Sequence, residues 1–162
     1  MRSAIFLVAA AAAVVQLAGC SSKLPPAQQE FMKLVDQMQD DYSEADSKDN
    51  AILEKEVADK YKNAMYAAGQ DVVKWKASVK EIGDTFGTLV VAQHGDVKFK
   101  MVMVTDEGKK LASSLKRGDE VTFSGKLGHE VSFTSYGMVK APEFAFTPSE
   151  IGKGDDPLVT QP

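Results

Sequence analysis

The chain has 162 residues, 44% hydrophobic and 26% charged, and its 19 basic against 23 acidic residues leave a net charge of −4. That length is enough for one domain with a real core and a short appendage. The mild acidity argues against a dedicated nucleic-acid binder, and the single cysteine rules out a disulfide framework.

Met1-Arg2 supplies a short positive segment, and Ile5 to Val15 an uncharged apolar run. This is the layout of an export signal, too short to span a bilayer comfortably. The run closes on Leu17-Ala18-Gly19-Cys20, which resembles the lipobox of bacterial lipoproteins. The resemblance implies that residues 1–19 are a signal peptide and that the mature protein begins at Cys20. A thiol is nucleophilic enough to take a diacylglyceryl group, and small Ala18 and Gly19 let a protease reach the adjoining backbone. The freed amine then accepts a third chain. At about 0.8 kcal/mol per buried methylene, three chains anchor essentially irreversibly. A plain secretory signal with a chance cysteine, or an uncleaved anchor, is the alternative. Ser21, in place of an aspartate, resembles the lipoproteins released to the outer membrane, so the expected location is the periplasmic face of that membrane. Loss of Arg2 with the leader takes the 19 basic residues to 18 against 23 acidic ones, a net charge of −5.

Residues 20–26 then read as an acylated, proline-ended tether reaching roughly 20 Å. Phe31, Leu34, Val35, Met38 and Tyr42 recur at helical spacing and predict an amphipathic helix from Ala27 to Tyr42. Ser43 to Asn50 reads as a break, with Asn50 capping a second helix from Ala51 to Ala68 that stops at Gly69. Its apolar stripe is Leu53, Val57, Tyr61, Ala64, Met65 and Ala68. Packing onto the chain's own domain is the default for such stripes, a membrane or partner helix the alternative. Beyond Gly69 the period becomes alternating. Val73, Trp75, Ala77 and Val79 are expected inward along a first strand. Phe86 to Gln93 is expected as a second strand, His94-Gly95-Asp96 as a turn, and Val97 to Val104 as a third strand with Lys98 and Lys100 facing out. A short helix from Asp106 to Leu115 precedes the turn Lys116-Arg117-Gly118-Asp119 and a fourth strand from Glu120 to Leu127. A fifth lies within Tyr136 to Phe146, made irregular by Pro142. Residues 148–162, rich in glycine and proline, read as a flexible tail.

Three strands, a helix and two strands is the order of a five-stranded Greek-key barrel of the OB type. The expected class is therefore α+β, with N-terminal helices over 27–69 and the barrel over 70–147. The runs Lys60-Tyr61-Lys62-Asn63-Ala64, Val79-Lys80-Glu81-Ile82-Gly83 and Leu115-Lys116-Arg117-Gly118-Asp119-Glu120-Val121-Thr122-Phe123-Ser124-Gly125-Lys126 resemble the envelope OB-fold proteins grouped as tRNA-anticodon-binding-like, over roughly residues 50–147. The chain departs from that pattern at Ala77-Ser78, where a glycine is usual, and in a longer stretch from Gly128 to Met138. The resemblance carries over fold and location, and no functional residue.

Catalysis needs a positioned nucleophile or acid and base pair. The two histidines, His94 and His129, each sit in a predicted turn near a carboxylate, Asp96 and Glu130, and would matter only if the turns converged. There is no phosphate loop, dinucleotide glycine pattern or serine elbow. The expectation is a non-enzyme without cofactor or metal. The sharper candidate is the set Lys74, Lys76, Lys80, Lys98 and Lys100, which an OB barrel would place on its outer face as a basic patch for an anionic partner. An ordinary solvated face is the alternative. The burial expected for Trp75 and Phe99 removes the aromatics a nucleic-acid face would use for stacking. Phe133, Tyr136, Met138, Phe144 and Phe146 either close the barrel or present aromatics to a partner. The expected function is a membrane-anchored, non-catalytic interaction module for another envelope protein or for the membrane surface. The alternative is a module binding a small anionic or saccharide ligand on the basic barrel face.

Overall fold

A computed structural model describes residues 23–84, 87–130 and 139–161, with the side chains of His129 and Glu130 excepted. Cys20 and its leader lie outside the described residues, as do Phe133, Tyr136 and Met138.

Helix α1 spans Pro26–Asp46, with proline in its first turn where the missing N–H costs nothing. It buries Gln28, Phe31, Val35, Met38, Tyr42 and Ala45, a stripe that continues one turn past the predicted end at Tyr42 because Ala45 extends the same face. Helix α2 spans Ala51–Ala68, and the Asn50 side chain caps it by accepting from the N–H groups of Ile52 and Leu53. Of the predicted stripe, Tyr61 and Met65 are buried and Leu53, Val57 and Ala64 half-buried; Ala68 is exposed, and Ala58 takes an inner place. The two helices pack on each other and on the barrel, with Tyr42 donating to Glu54 at 2.7 Å and Tyr61 to Asp41 at 2.7 Å.

Among the described residues six strands follow: β1 (Val72–Gly83), β2 (Leu89–His94), β3 (Val97–Val102), β4 (Glu120–Glu130), β5 (Glu143–Lys153) and β6 (Val159–Thr160), with α3 (Asp106–Ser114) between β3 and β4. Their order is β3-β2-β1-β4-β5-β6, and a parallel β3–β5 pairing closes the first five into a mixed barrel. The fold is thus α+β, two N-terminal helices followed by an OB-type barrel with one extra strand.

Strand β1 belongs to both halves of the barrel, pairing with β4 over Val72–Ser78 and with β2 over Ser78–Gly83. A bulge between Val72 and Trp75 and another between Val79 and Glu81 bend it. The first corrects the predicted alternation. Lys74 has a φ of 51°, so the side-chain order shifts by one and Val72 is buried while Val73 is 63% exposed. Ser124 Oγ accepts the freed Lys74 N–H at 3.1 Å.

The C-terminal segment also differs from expectation. Strand β5 runs on through Pro148 to Lys153, β6 pairs with Glu150 and Ile151, and Ile151 and Gln161 are buried. Residues 148–153 and Val159–Thr160 are therefore strands of the sheet joined by a short turn, not a tail beyond it. Pro148 is tolerated because the β4–β5 register shifts there, leaving Ser149 as an extra residue between the Ser124 and Gly125 pairings. Pro142 lies just before β5, and its carbonyl accepts the Lys98 N–H at 2.8 Å.

The barrel interior is filled by aromatic rings. Phe99 lies 5.4 Å from Phe123, 6.1 Å from Phe146 and 6.0 Å from Trp75. Helix α1 closes the end where β1 starts and β2 turns into β3. Its Phe31 enters there, 5.0 Å from Trp75 and 6.2 Å from Phe144. At the opposite end α3 adds Ala112, followed by Leu115, to the same core. Phe144 and Phe146 thus have the closing role, as core residues.

Candidate functional site

The alternation of β3 turns Phe99 and Met101 inward and Lys98 and Lys100 outward, as predicted. The parallel register then sets Glu143 of β5 opposite Lys98. Its two carboxylate oxygens each take one ammonium, Lys98 at 2.6 Å and Lys100 at 2.6 Å. Hydrogen bonds from Lys100, then Lys98, hold the Glu143 carboxyl below its usual range. One carboxylate thereby offsets half the charge of the pair.

Lys76 is engaged elsewhere. Its ammonium lies 2.9 Å from Asp155 and 3.4 Å from Glu120, and the Asp155 hydrogen bond is the main cause of its raised pKa. Its main chain is covered too. The Gln28 amide donates to the Lys76 carbonyl at 2.6 Å and accepts the Lys76 N–H at 2.8 Å. Lys74 sits on the first bulge beside β4, and Lys80 is the extra residue of the second. The five lysines therefore do not form one basic patch. Three are committed to carboxylates at two places, and the remaining two occupy separate bulges. The neutralising acids were invisible to local reading because they lie 45 residues from Lys98 and 79 and 44 from Lys76.

Lys80 has a neighbour that sequence reasoning missed. Together with Ser78, Gln93, Gly95, Arg117 and Gly118 it lines an open groove of about 350 Å³ on the outer face of β1 and β2. The turn carrying Arg117 is pinned to β1 by two backbone bonds, Gly118 N–H to the Val79 carbonyl and Val79 N–H to the Asp119 carbonyl, each 2.8 Å. Gly118 has a φ of 91°, a conformation that favours glycine. Asp119 itself faces another way. It accepts from the Lys153 ammonium at 2.8 Å and from the Lys116 N–H at 2.8 Å, and these bonds, Lys153 first, lower its pKa.

A second groove, about 380 Å³, runs between α1 and α2 and is lined by Leu53 and Val57 with Asp41, Glu44, Glu56, Lys48 and Lys60. Most of its charges are paired, Lys48 just past α1 to Glu44 at 2.6 Å and Lys60 of α2 to Asp41 of α1 at 3.3 Å. His94 ends β2, half-buried, and the His129 side chain lies outside the described residues, as does any approach between the two. Among the described residues no cluster of histidines, cysteines and carboxylates is arranged to hold a metal ion, and no helix is long and apolar enough to cross a membrane. No protein-family model matches the chain, and a comparison with curated proteins finds no match.

Proposed function

We propose that this chain is a bacterial outer-membrane lipoprotein, anchored through acyl chains on Cys20, whose barrel is a non-catalytic interaction module facing the periplasm. The observation that carries the reading is Leu17-Ala18-Gly19-Cys20 at the end of an apolar leader, with Pro26, the first residue of α1, only six residues further on. So short a tether keeps the domain within roughly 20 Å of its anchor. The filled barrel supports recognition on its outside, since Phe31 and α3 close its two ends on a continuous core. Glu143, Asp119, Asp41 and Asp59 are all held below their usual pKa by hydrogen bonds from lysine, tyrosine or backbone N–H groups, which fits carboxylates that serve as ion-pair partners on the surface.

The test is mass spectrometry of the protein extracted from its native membranes, with crosslinking and capture of its neighbours. The reading expects an N-terminal tryptic peptide beginning at Cys20 and carrying acyl mass, and a Cys20→Ser variant that leaves the membrane fraction and loses the crosslinked envelope partner. An unmodified Cys20, or the same partner captured by soluble Cys20→Ser protein, overturns respectively the anchor and its part in recognition.

A further inference from the structure

We infer that the groove between Lys80 and Arg117 is an oxyanion site, shaped for a phosphate group on a hydroxyl-bearing ligand. The inference rests on the reading of the barrel as a binding module and is independent of Cys20 acylation. Four lysines of the outer barrel are matched: Lys76, Lys98, Lys100 and Lys153 each hold a carboxylate at 3.4 Å or less. Lys80 and Arg117, which line one groove, have no such partner among the described residues. Arg117 is the single arginine after the leader. Its planar guanidinium presents parallel N–H groups that match two oxygens of a phosphate, and the Lys80 ammonium adds a point charge.

The fold builds this arrangement from both sides. The second bulge of β1 takes Lys80 out of the regular ladder and re-aims its side chain. The two bonds between Val79 and the 118–119 backbone hold the Arg117 turn against the same stretch. The acids that follow Arg117 are removed from it, Asp119 by Lys153 and Glu120 by Lys76. Beside the apolar Val79, the lining also carries two neutral polar side chains. Ser78 faces Gln93 across β1 and β2, and the Gln93 amide donates to the Gly95 carbonyl at 2.7 Å while its own oxygen has no donor among the described residues. A rotation of that amide offers the oxygen to a ligand hydroxyl, and Ser78 offers a further donor.

The full chain, isotope-labelled and purified in a nonionic detergent, is titrated with inorganic phosphate and with glycerol phosphate, with chloride added to hold ionic strength constant. Saturable NMR shifts centred on Ser78, Lys80, Arg117, Gly118 and the Gln93 side-chain amide are expected. Loss of one charge-assisted bond predicts roughly tenfold or greater weakening in Arg117→Gln and Lys80→Gln. Arg117→Lys, which keeps the charge and loses the fork, should fall between, and Lys98→Gln should bind as the unaltered chain does. Equal melting temperatures separate these effects from unfolding. Vesicles with and without phosphatidylglycerol form a third arm: binding that requires the anionic lipid and Arg117 identifies the phosphate source as a headgroup and supports the site. Non-saturating shifts spread over all lysines, or saturable shifts centred on Lys98 and Lys100, overturn it. Neither result bears on the acylation of Cys20, which the mass measurement decides separately.

Discussion

Replacing Gln28 with alanine tests how the first helix is joined to the barrel. Gln28 is fully buried, and its primary amide serves as one rung of a sheet, donating to the Lys76 carbonyl and accepting the Lys76 N–H. The rung is needed because β2 reaches β1 only from Ser78 onward, so the main chain at Lys76 has β4 on one side and an open edge on the other. Removing the amide deletes two bonds, each worth roughly 1 kcal/mol net, and leaves a donor and an acceptor with incomplete access to water, which costs more than the bonds themselves. A loss of about 2 to 4 kcal/mol follows, a large part of the 5 to 15 kcal/mol typical of a domain. At about 3 °C per kcal/mol for a chain of this size, the melting temperature should fall by roughly 6 to 12 °C. Urea unfolding followed by tryptophan fluorescence measures this well, because Trp75 lies 5.0 Å from Phe31 on the same helix. Hydrogen exchange at the Lys76 amide should accelerate in parallel. Gln29→Ala, an exposed neighbour whose side chain donates to the Leu24 carbonyl, is the control and should stay within about 0.5 kcal/mol. A Gln28→Ala loss under about 0.5 kcal/mol, with Lys76 exchange unaltered, would refute the account.

Gly69→Ala drives a methyl into the Leu127 side chain at the point where α2 meets β4, and overpacking of about 1 to 3 kcal/mol is expected in chemical denaturation. Gly83→Ala, with open space around the added carbon, should be near neutral in the same assay. Gln161→Ala should cost about 2 kcal/mol and speed exchange at Val104 and Thr105, whose N–H groups the Gln161 side chain accepts at 3.2 and 3.4 Å. No change on trimming Gln161 would return the C-terminus to the status of a tail. The Glu143 pKa is depressed in the folded state, so its contribution is complete above the ordinary value of 4.5 and is lost as pH falls through the lower folded value. The acid limb of the stability profile should therefore flatten in Glu143→Gln, and an unchanged limb would show that the Lys98–Glu143–Lys100 bridge contributes nothing to folding.

Local pattern carried much of the architecture. Helical spacing located α1 and α2, the Asn50 cap and the Gly69 stop were readable from residue type, and alternation oriented Trp75, Lys98 and Lys100. The failures share a cause. The Val73 orientation depended on a bulge with Lys74 at positive φ, and the fate of Pro148 depended on a register shift against β4. Both are properties of a strand pair and are absent from either strand alone. The lysine set failed in the same way, since Glu143 and Asp155 reach their partners only through sheet closure.

Residue order alone thus located the three helices and the first four strands, most of their apolar faces, and the element order of an OB-type barrel, because periodicity and capping act over a few neighbouring residues. Tertiary structure decided which charges are cancelled and which stay open. An ion pair depends on distances of a few ångströms between atoms far apart in the chain, so Lys98 is matched and Lys80 is left beside Arg117 only once the barrel has closed.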